Sequence, residues 1–177
     1  MLYHINQKDY QSLLQNRDIS NIEKTEMFAL YSRINTLYMI AKAGSGHIGT
    51  SFSSMDIFSW MHLNVLTDDD LFFSSKGHDA PGLYSVLIGI GKLNYEYIHQ
   101  LRRLNGLPGH PDVTTTPCMV TNTGSLGMGI SKAKGLALAN RLDNKKGRVY
   151  VLTGDGELQE GQFWESLSGA VNGKFEE

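Results

Sequence analysis

The sequence predicts an α/β domain with a mainly parallel sheet flanked by helices, and three observations carry that prediction. Two short apolar runs, Leu71-Phe72-Phe73-Ser74 and Arg148-Val149-Tyr150-Val151-Leu152-Thr153, read as strands. Each delivers the chain into a glycine-bearing turn, at Lys76-Gly77-His78 and at Gly154-Asp155-Gly156. Apolar residues at helical spacing fill most of the remaining chain. Helices between strands imply parallel crossovers, and the ligands of such sheets gather beyond the carboxyl ends of the strands.

Each element has a local signal. Ser20-Asn21-Ile22-Glu23 is a capping box, and Ile22, Met27, Leu30, Tyr31, Ile34, Leu37, Tyr38 and Ala41 follow at helical spacing, so a long amphipathic helix should run to about Ala43. Gly44-Ser45-Gly46-His47-Ile48-Gly49 should end it in a loop, because glycine destabilises a helix interior. A second capping-box-like start lies at Ser53 to Asp56, and Met55, Ile57, Phe58, Trp60, Met61, Leu63 and Leu66 read as a well-buried helix that Asp68-Asp69-Asp70 breaks. Pro81 to Ile90 and Tyr95 to Arg103 read as two more helices, and Asn105 to Asn122 as a long irregular connection. Thr123 to Gly129 opens a helix rich in Ala and Leu that reaches about Arg141, and Glu157 to Val171 reads as the last helix.

Composition bounds the function. The 177 residues allow one ordinary domain or part of a larger one, and 41% hydrophobic against 19% charged residues is enough to form a core. Lys+Arg 16 against Asp+Glu 18 leaves a net charge of -2, without the basic excess that nucleic acid selects. Cys118 is the single cysteine, so no intrachain disulfide and no Cys-based zinc site can form, and a reducing compartment fits. No apolar run approaches the ~18 residues of a membrane span, and the start MLYHINQKDY lacks a basic region followed by an apolar stretch, so a soluble, cytoplasmic protein is expected.

The glycine clusters are the chemically informative segments. Gly44 to Gly49 matches the dinucleotide pattern G-x-G-x-x-G, but a helix and not a strand precedes it, so that reading is rejected. His47, His78 and His110 each follow a glycine, which lets backbone approach a ligand while an imidazole exchanges a proton near neutral pH; a hydrogen-bonded loop histidine is the alternative for any one of them. No His-x-x-x-His pair supports zinc. At Gly154-Asp155-Gly156, glycines at the end of a strand free N–H groups for phosphate oxygens, whereas the Asp155 carboxylate would repel them. A hard divalent cation bridging carboxylate and diphosphate resolves that conflict; a plain strand-end turn with Asp155 as N-cap is the alternative. Glu160 and Glu165 share a helix with Leu158, Phe163, Trp164 and Leu167, which should leave little of it wet and could bury one or both at an interface. Gly124-Ser125-Leu126-Gly127-Met128-Gly129 suits either a ligand or close helix packing.

Four ordered segments resemble the N-terminal, diphosphate-binding region of transketolases, most closely that of the split, two-subunit transketolases. They are Ser75-Lys76-Gly77-His78-Asp79-Ala80-Pro81-Gly82-Leu83-Tyr84, Gly109-His110-Pro111-Asp112, Thr123 to Gly129, and the run from Gly154 to Glu165. The resemblance covers about Thr25 to Ala170 and implies a lead-in segment at 1–19 followed by a partial diphosphate-binding domain at 20–177, apparently truncated at its C-terminus. It implies transfer of a two-carbon ketol unit between sugar phosphates with thiamine diphosphate and Mg²⁺ or Ca²⁺. Asp155 would hold the cation, Gly154, Gly156 and His78 the diphosphate, and Gly124 and Leu126 the ring region. His47 and His110 would face the reacting carbon and the sugar hydroxyls, and Glu160 and Glu165 would lie at a subunit interface.

The same resemblance implies a C-terminal pyrimidine-binding partner subunit, in a homodimer or heterotetramer, with no nucleic acid and no membrane. Ile48 stands where many members have proline. The family's second cation ligand, an asparagine on a following strand, has no counterpart, and Asn172 is not assigned that role. The glutamate that activates the cofactor belongs to the pyrimidine domain, so these residues alone should bind cofactor weakly and be inactive. Two rivals remain, a thiamine diphosphate enzyme acting on a 2-oxo acid and an inactive vestigial module.

Overall fold

The structure, a computed structural model, describes residues 2–173, so the reading of a domain to residue 177 reaches beyond the described part. The chain divides into two units. The first comprises Met1–Val65, His78–His110 and Thr114–Cys118, and the second Leu66–Gly77, Pro111–Val113 and Met119–Glu177.

The first unit is helical. Helix α1 (Gln7–Gln15) lies in the segment read as a lead-in; Asn6 caps it, with the Asp9 N–H donating to Asn6 Oδ1 at 3.0 Å and the Asp9 carboxyl closing the capping box. Helix α2 (Asn21–Ala43) starts at Ser20 with the expected capping box and ends on Gly44 in the left-handed region at φ 71°. Of the apolar positions expected to line its buried face, Tyr38 is buried but most are not. Ile22, Met27, Leu30 and Leu37 are exposed, while Phe28, Ala29, Ser32, Asn35, Thr36 and Met39 face the core. Thr36 donates to the Ser32 carbonyl one turn back, at 2.7 Å, and two other polar members of that face are satisfied at long range. Asn35 accepts from the Ile5 N–H at 2.7 Å and donates to the Ile5 carbonyl at 3.1 Å, and Ser32 Oγ meets Tyr10 Oη at 3.2 Å. Burial pushes the Tyr10 hydroxyl up to about 12.

The expected loop after Gly46 is instead helix α3 (Ile48–Ser53), so Ser53 ends one helix and does not cap the next. Helix α4 (Met55–Trp60) continues into a π-helical turn, Met61–Val65, with Met55 and Phe58 buried but Ile57 and Trp60 exposed. Burial within this unit pushes the His62 imidazole down to about 4, so it is neutral at pH 7. Helix α5 (Ala80–Gly89) is buried at every position and packs on α2 and α4. Gly82 permits a close approach to α3, since a Cβ there would sit 3.1 Å from the Ser51 carbonyl oxygen. The helix expected over Tyr95 to Arg103 shrinks to a 3₁₀ turn, Tyr95–His99. Beyond it the Arg102 N–H donates to the Leu107 carbonyl at 2.7 Å, which closes a short loop and places Arg102 (φ 55°) and Asn105 (φ 61°) in the left-handed region.

The second unit holds a two-stranded parallel sheet, β1 (Leu71–Ser74) and β2 (Val149–Leu152), with Leu71 paired to Val149 and Ser74 to Leu152. Asp70 ties the entries to both strands, accepting from the Thr67 and Arg148 N–H groups at 2.9 and 2.7 Å; these bonds, Thr67's foremost, hold its carboxyl below the usual range. Helix α6 (Gly129–Leu142) packs on β2 and on α7 (Gly161–Asn172). The single helix expected from Glu157 to Val171 is two pieces, a 3₁₀ turn at Glu157–Gln159 and then α7, because Glu160 is extended at φ -74°, ψ 130°. Among the described residues no helix is long and apolar enough to cross a membrane.

Candidate functional site

The two strands of the second unit run parallel, so their carboxyl ends lie on one edge, and the Ser75 N–H extends the pairing by donating to the Leu152 carbonyl at 2.9 Å. The turn Thr153 to Gly156 leaves β2 at that edge. Asp155 stands there exposed, and among the described residues it forms no hydrogen bond or ion pair. Gly156 is equally open, since a Cβ on it would meet nothing within 4 Å. Gly154 differs from expectation. Its N–H donates to Glu157 Oε2 at 3.2 Å and its carbonyl accepts from the Leu158 N–H at 3.2 Å, so its polar backbone is engaged within the turn. A Cβ on Gly154 would press to 3.0 Å against the Lys76 stem.

The Gly124 to Gly129 segment meets this turn through one side chain. Glu157, 1% exposed, accepts from the Gly127 N–H on Oε1 at 2.9 Å and from Ser75 Oγ on the same oxygen, while Oε2 takes the Gly154 N–H. Gly124 (φ 118°) and Gly127 (φ 81°) occupy backbone conformations that favour glycine. Leu126 is 38% exposed. The buried Thr123 Oγ1, adjacent to Gly124, has no hydrogen-bond partner among the described residues.

These features fit a cation-bridged diphosphate. An open, unpaired carboxylate at a strand tip is what a hard cation requires, the open surface of Gly156 leaves room for phosphate, and an orphaned buried hydroxyl lies beside the neighbouring glycine loop. Among the described residues no group of three His, Cys, Asp or Glu side chains is arranged to hold a metal. Mg²⁺ accepts one or two carboxylates when phosphate oxygens and water complete its octahedron.

Glu160 and Glu165 are both exposed in this chain, together with Trp164 and Leu158, so the helix face expected to stay dry is solvent-facing. Glu160, extended at φ -74°, ψ 130°, lies just before the helix that carries Glu165.

The histidine group belongs to the first unit. His47 precedes α3, its carbonyl accepting from Ser51 Oγ at 2.8 Å, and its ring meets His78 edge to face at 5.3 Å between centroids. His110 is held below its usual value first by loss of solvent and then by the neighbouring His78, Arg102 and His47, with buried Asp79 acting in the opposite sense. A neutral imidazole at pH 7 can accept a proton. Arg102 donates to Ser45 Oγ, and its guanidinium Nε lies 3.0 Å from where a Gly109 Cβ would be. The glycine before His110 therefore makes room for an arginine. His47 and His110 are exposed and His78 is half-buried, whereas His4 and His99 sit apart with Tyr38.

Three residues of these arrangements have no role assigned from the sequence: Glu157, Ser75 and Arg102. Ser75 and Glu157 are 82 positions apart, and Glu157 in a polar turn reads as a solvated side chain.

Residues 24–176 match the family described as transketolase, thiamine diphosphate binding domain. The chain is similar to a subunit of the apulose-4-phosphate transketolase of Actinobacillus succinogenes, at 36% identity over 84% of this chain and 57% of that protein. It is similar to 6-deoxy-6-sulfo-D-fructose transketolase subunit SqwG of Clostridium sp. at 37% identity, over 74% of this chain and 51% of the relative. Human transketolase is 36% identical over 77% of this chain and 23% of its own length. The chain thus spans about half the length of the two bacterial relatives and about a quarter of the human one.

Proposed function

Because the chain belongs to the transketolase family, in its thiamine diphosphate-binding domain, we propose that it supplies the diphosphate-holding part of a cytoplasmic enzyme that transfers a two-carbon ketol unit from a ketose phosphate to an aldose phosphate. The observation that carries the proposal is the turn after β2, where an exposed, unpaired Asp155 and an open Gly156 follow the strand whose partner leads into Lys76 and Gly77. When bound, thiamine diphosphate supplies the carbon nucleophile that carries the ketol unit.

The protein's own residues bind, orient and exchange protons. Asp155 holds a divalent cation, which neutralises the diphosphate that Gly156 admits. His78 donates to a diphosphate oxygen, and Gly154, Gly124 and Leu126 shape the ground on which the cofactor rests. His110, kept neutral, accepts a proton from a substrate hydroxyl, and His47 orients the carbonyl. Glu160 and Glu165, exposed on this chain, meet a second protein chain. That chain is a pyrimidine-binding one, a reading supported by relatives named as subunits of a transketolase.

The test is a product assay on the intact protein with its partner subunit. A ketose phosphate donor and an aldose phosphate acceptor should yield the two exchanged sugars in equal amounts, dependent on both substrates. Release of CO₂ from pyruvate with no sugar exchange would assign the protein to the 2-oxo acid enzymes, and no reaction with either class would leave it a non-catalytic module.

A further inference from the structure

The Glu157 carboxyl touches three separate segments of the second unit. Ser75 lies just past β1, Gly127 lies in the glycine loop before α6, and Gly154 lies in the turn after β2. Both oxygens are used, Oε1 by Gly127 and Ser75 and Oε2 by Gly154, and the side chain is 1% exposed. A buried acceptor with matched donors on both oxygens ties the Gly127 loop to the two strand ends, which the sheet already joins to each other. The packing around it has no slack, because a Cβ on Gly129 would lie 2.5 Å from Ser75 Cβ, and one on Gly127 2.9 Å from Glu160 Cβ.

We propose that Glu157 is a positioning residue for the cofactor, which it serves by holding the Gly124–Gly129 loop and the Gly154–Gly156 turn at a fixed separation. The inference rests on the cofactor role proposed above and gives Glu157 no contact with the cofactor itself. An acceptor with two equivalent oxygens is required. Glutamine would keep its one oxygen for Gly127 and Ser75 and turn its amide –NH₂ toward the Gly154 N–H, donor against donor. Aspartate is one methylene shorter and cannot span the same three donors.

The experiment uses the intact protein with its partner subunit, as wild type, Glu157→Gln and Glu157→Asp, with Phe163→Leu as a control for loss of stability. Phe163 is a buried α7 residue outside the clamp, and its variant is compared at a temperature where every protein is folded by circular dichroism. Calorimetric titration with thiamine diphosphate and Mg²⁺ should show affinity reduced at least ~10-fold in both Glu157 variants, as loss of a hydrogen bond to a buried charged acceptor implies. Phe163→Leu should bind as wild type does. Without cofactor, the amide resonances of Gly127 and Gly154 should shift in Glu157→Gln and stay in place in Phe163→Leu. Equal loss of affinity in Phe163→Leu, or unshifted glycine amides in Glu157→Gln, would overturn the positioning role. Wild type that binds alongside Glu157 variants of equal affinity contradicts this inference alone, whereas wild type that does not bind contradicts the proposed function and the inference together.

Discussion

Replacing Asp155 with alanine in the intact, partnered protein is expected to lower thiamine diphosphate-dependent turnover at limiting cofactor by at least ~100-fold, since even outer-shell changes at a metal site cost about 10–100-fold. The change removes the exposed carboxylate at the tip of β2 that is proposed to hold a cation against phosphate repulsion. Stability should barely move. Asp155 is exposed and has no partner among the described residues, and surface substitutions away from caps and networks stay within about 0.5 kcal/mol. This pairing makes the variant diagnostic. A lost activity accompanied by an unchanged melting curve points to a ligand, whereas loss of both would point to a turn that Asp155 holds together. Asp155→Asn, which keeps the shape and removes the charge, should fall between wild type and alanine. Unchanged turnover and cofactor affinity in Asp155→Ala would show that Asp155 holds no cation needed for cofactor binding.

The second large effect is on stability. Gly129 opens α6, and a Cβ there would lie 2.5 Å from Ser75 Cβ, closer still to Ser75 Oγ, and 3.2 Å from Val151 Cγ1. Two terms compete in Gly129→Ala. Alanine gains up to about 1 kcal/mol in helix propensity, while overpacking a fixed site costs about 1–3 kcal/mol. Ser75 cannot swing aside without releasing its bond to Glu157, so the cost also includes part of that clamp. The expected net is a loss of about 2 kcal/mol, or roughly 4–8 °C in Tm for a chain of this size. Gly135, in the same helix, has nothing within 4 Å of its would-be Cβ. Gly135→Ala should therefore be neutral or stabilising by up to about 1 kcal/mol. Paired thermal melts read both, and a Gly129→Ala protein as stable as wild type would show that the strand tips and the glycine loop are less tightly joined than described.

What the sequence made legible is what local chemistry dictates. The Ser20 to Glu23 capping box, the left-handed Gly44 that ends α2, and the apolar strand cores of β1 and β2 lie where sequence signals put them. Rejecting a dinucleotide fold at Gly44 to Gly49 also holds, because α2 leads into that segment. The inward face of α2 was not legible. Its polar residues Ser32 and Asn35 become core residues only because Tyr10 and Ile5, 22 and 30 positions away, supply their partners. Likewise the apolar stripe of Ile22, Leu30 and Leu37 follows helical spacing yet faces outward. Periodicity reports amphipathicity and cannot say which face another element will cover.

The candidate site shows the same division. Asp155 and the three Gly-His histidines stood out because their neighbours are glycines, and the two glycine segments stood out by their density. Glu157 did not, since its function lies in donors from Ser75 and Gly127, distant in sequence. The break at Glu160 was hidden for a related reason. Apolar spacing continues across it through Leu158, Phe163 and Trp164, although the backbone at Glu160 is extended. The engagement of the Gly154 backbone by Glu157 and Leu158 follows from that 3₁₀ turn, where a regular helix start had been expected to leave the N–H free.

The proposed function requires the tip of β2 to hold a diphosphate through a divalent cation. It is tested most directly by titrating thiamine diphosphate into the intact wild-type protein by calorimetry, once with Mg²⁺ and once after chelation with EDTA. Saturable binding is expected with Mg²⁺, and its loss on chelation. Binding of equal strength without the cation, or none in its presence, would contradict it.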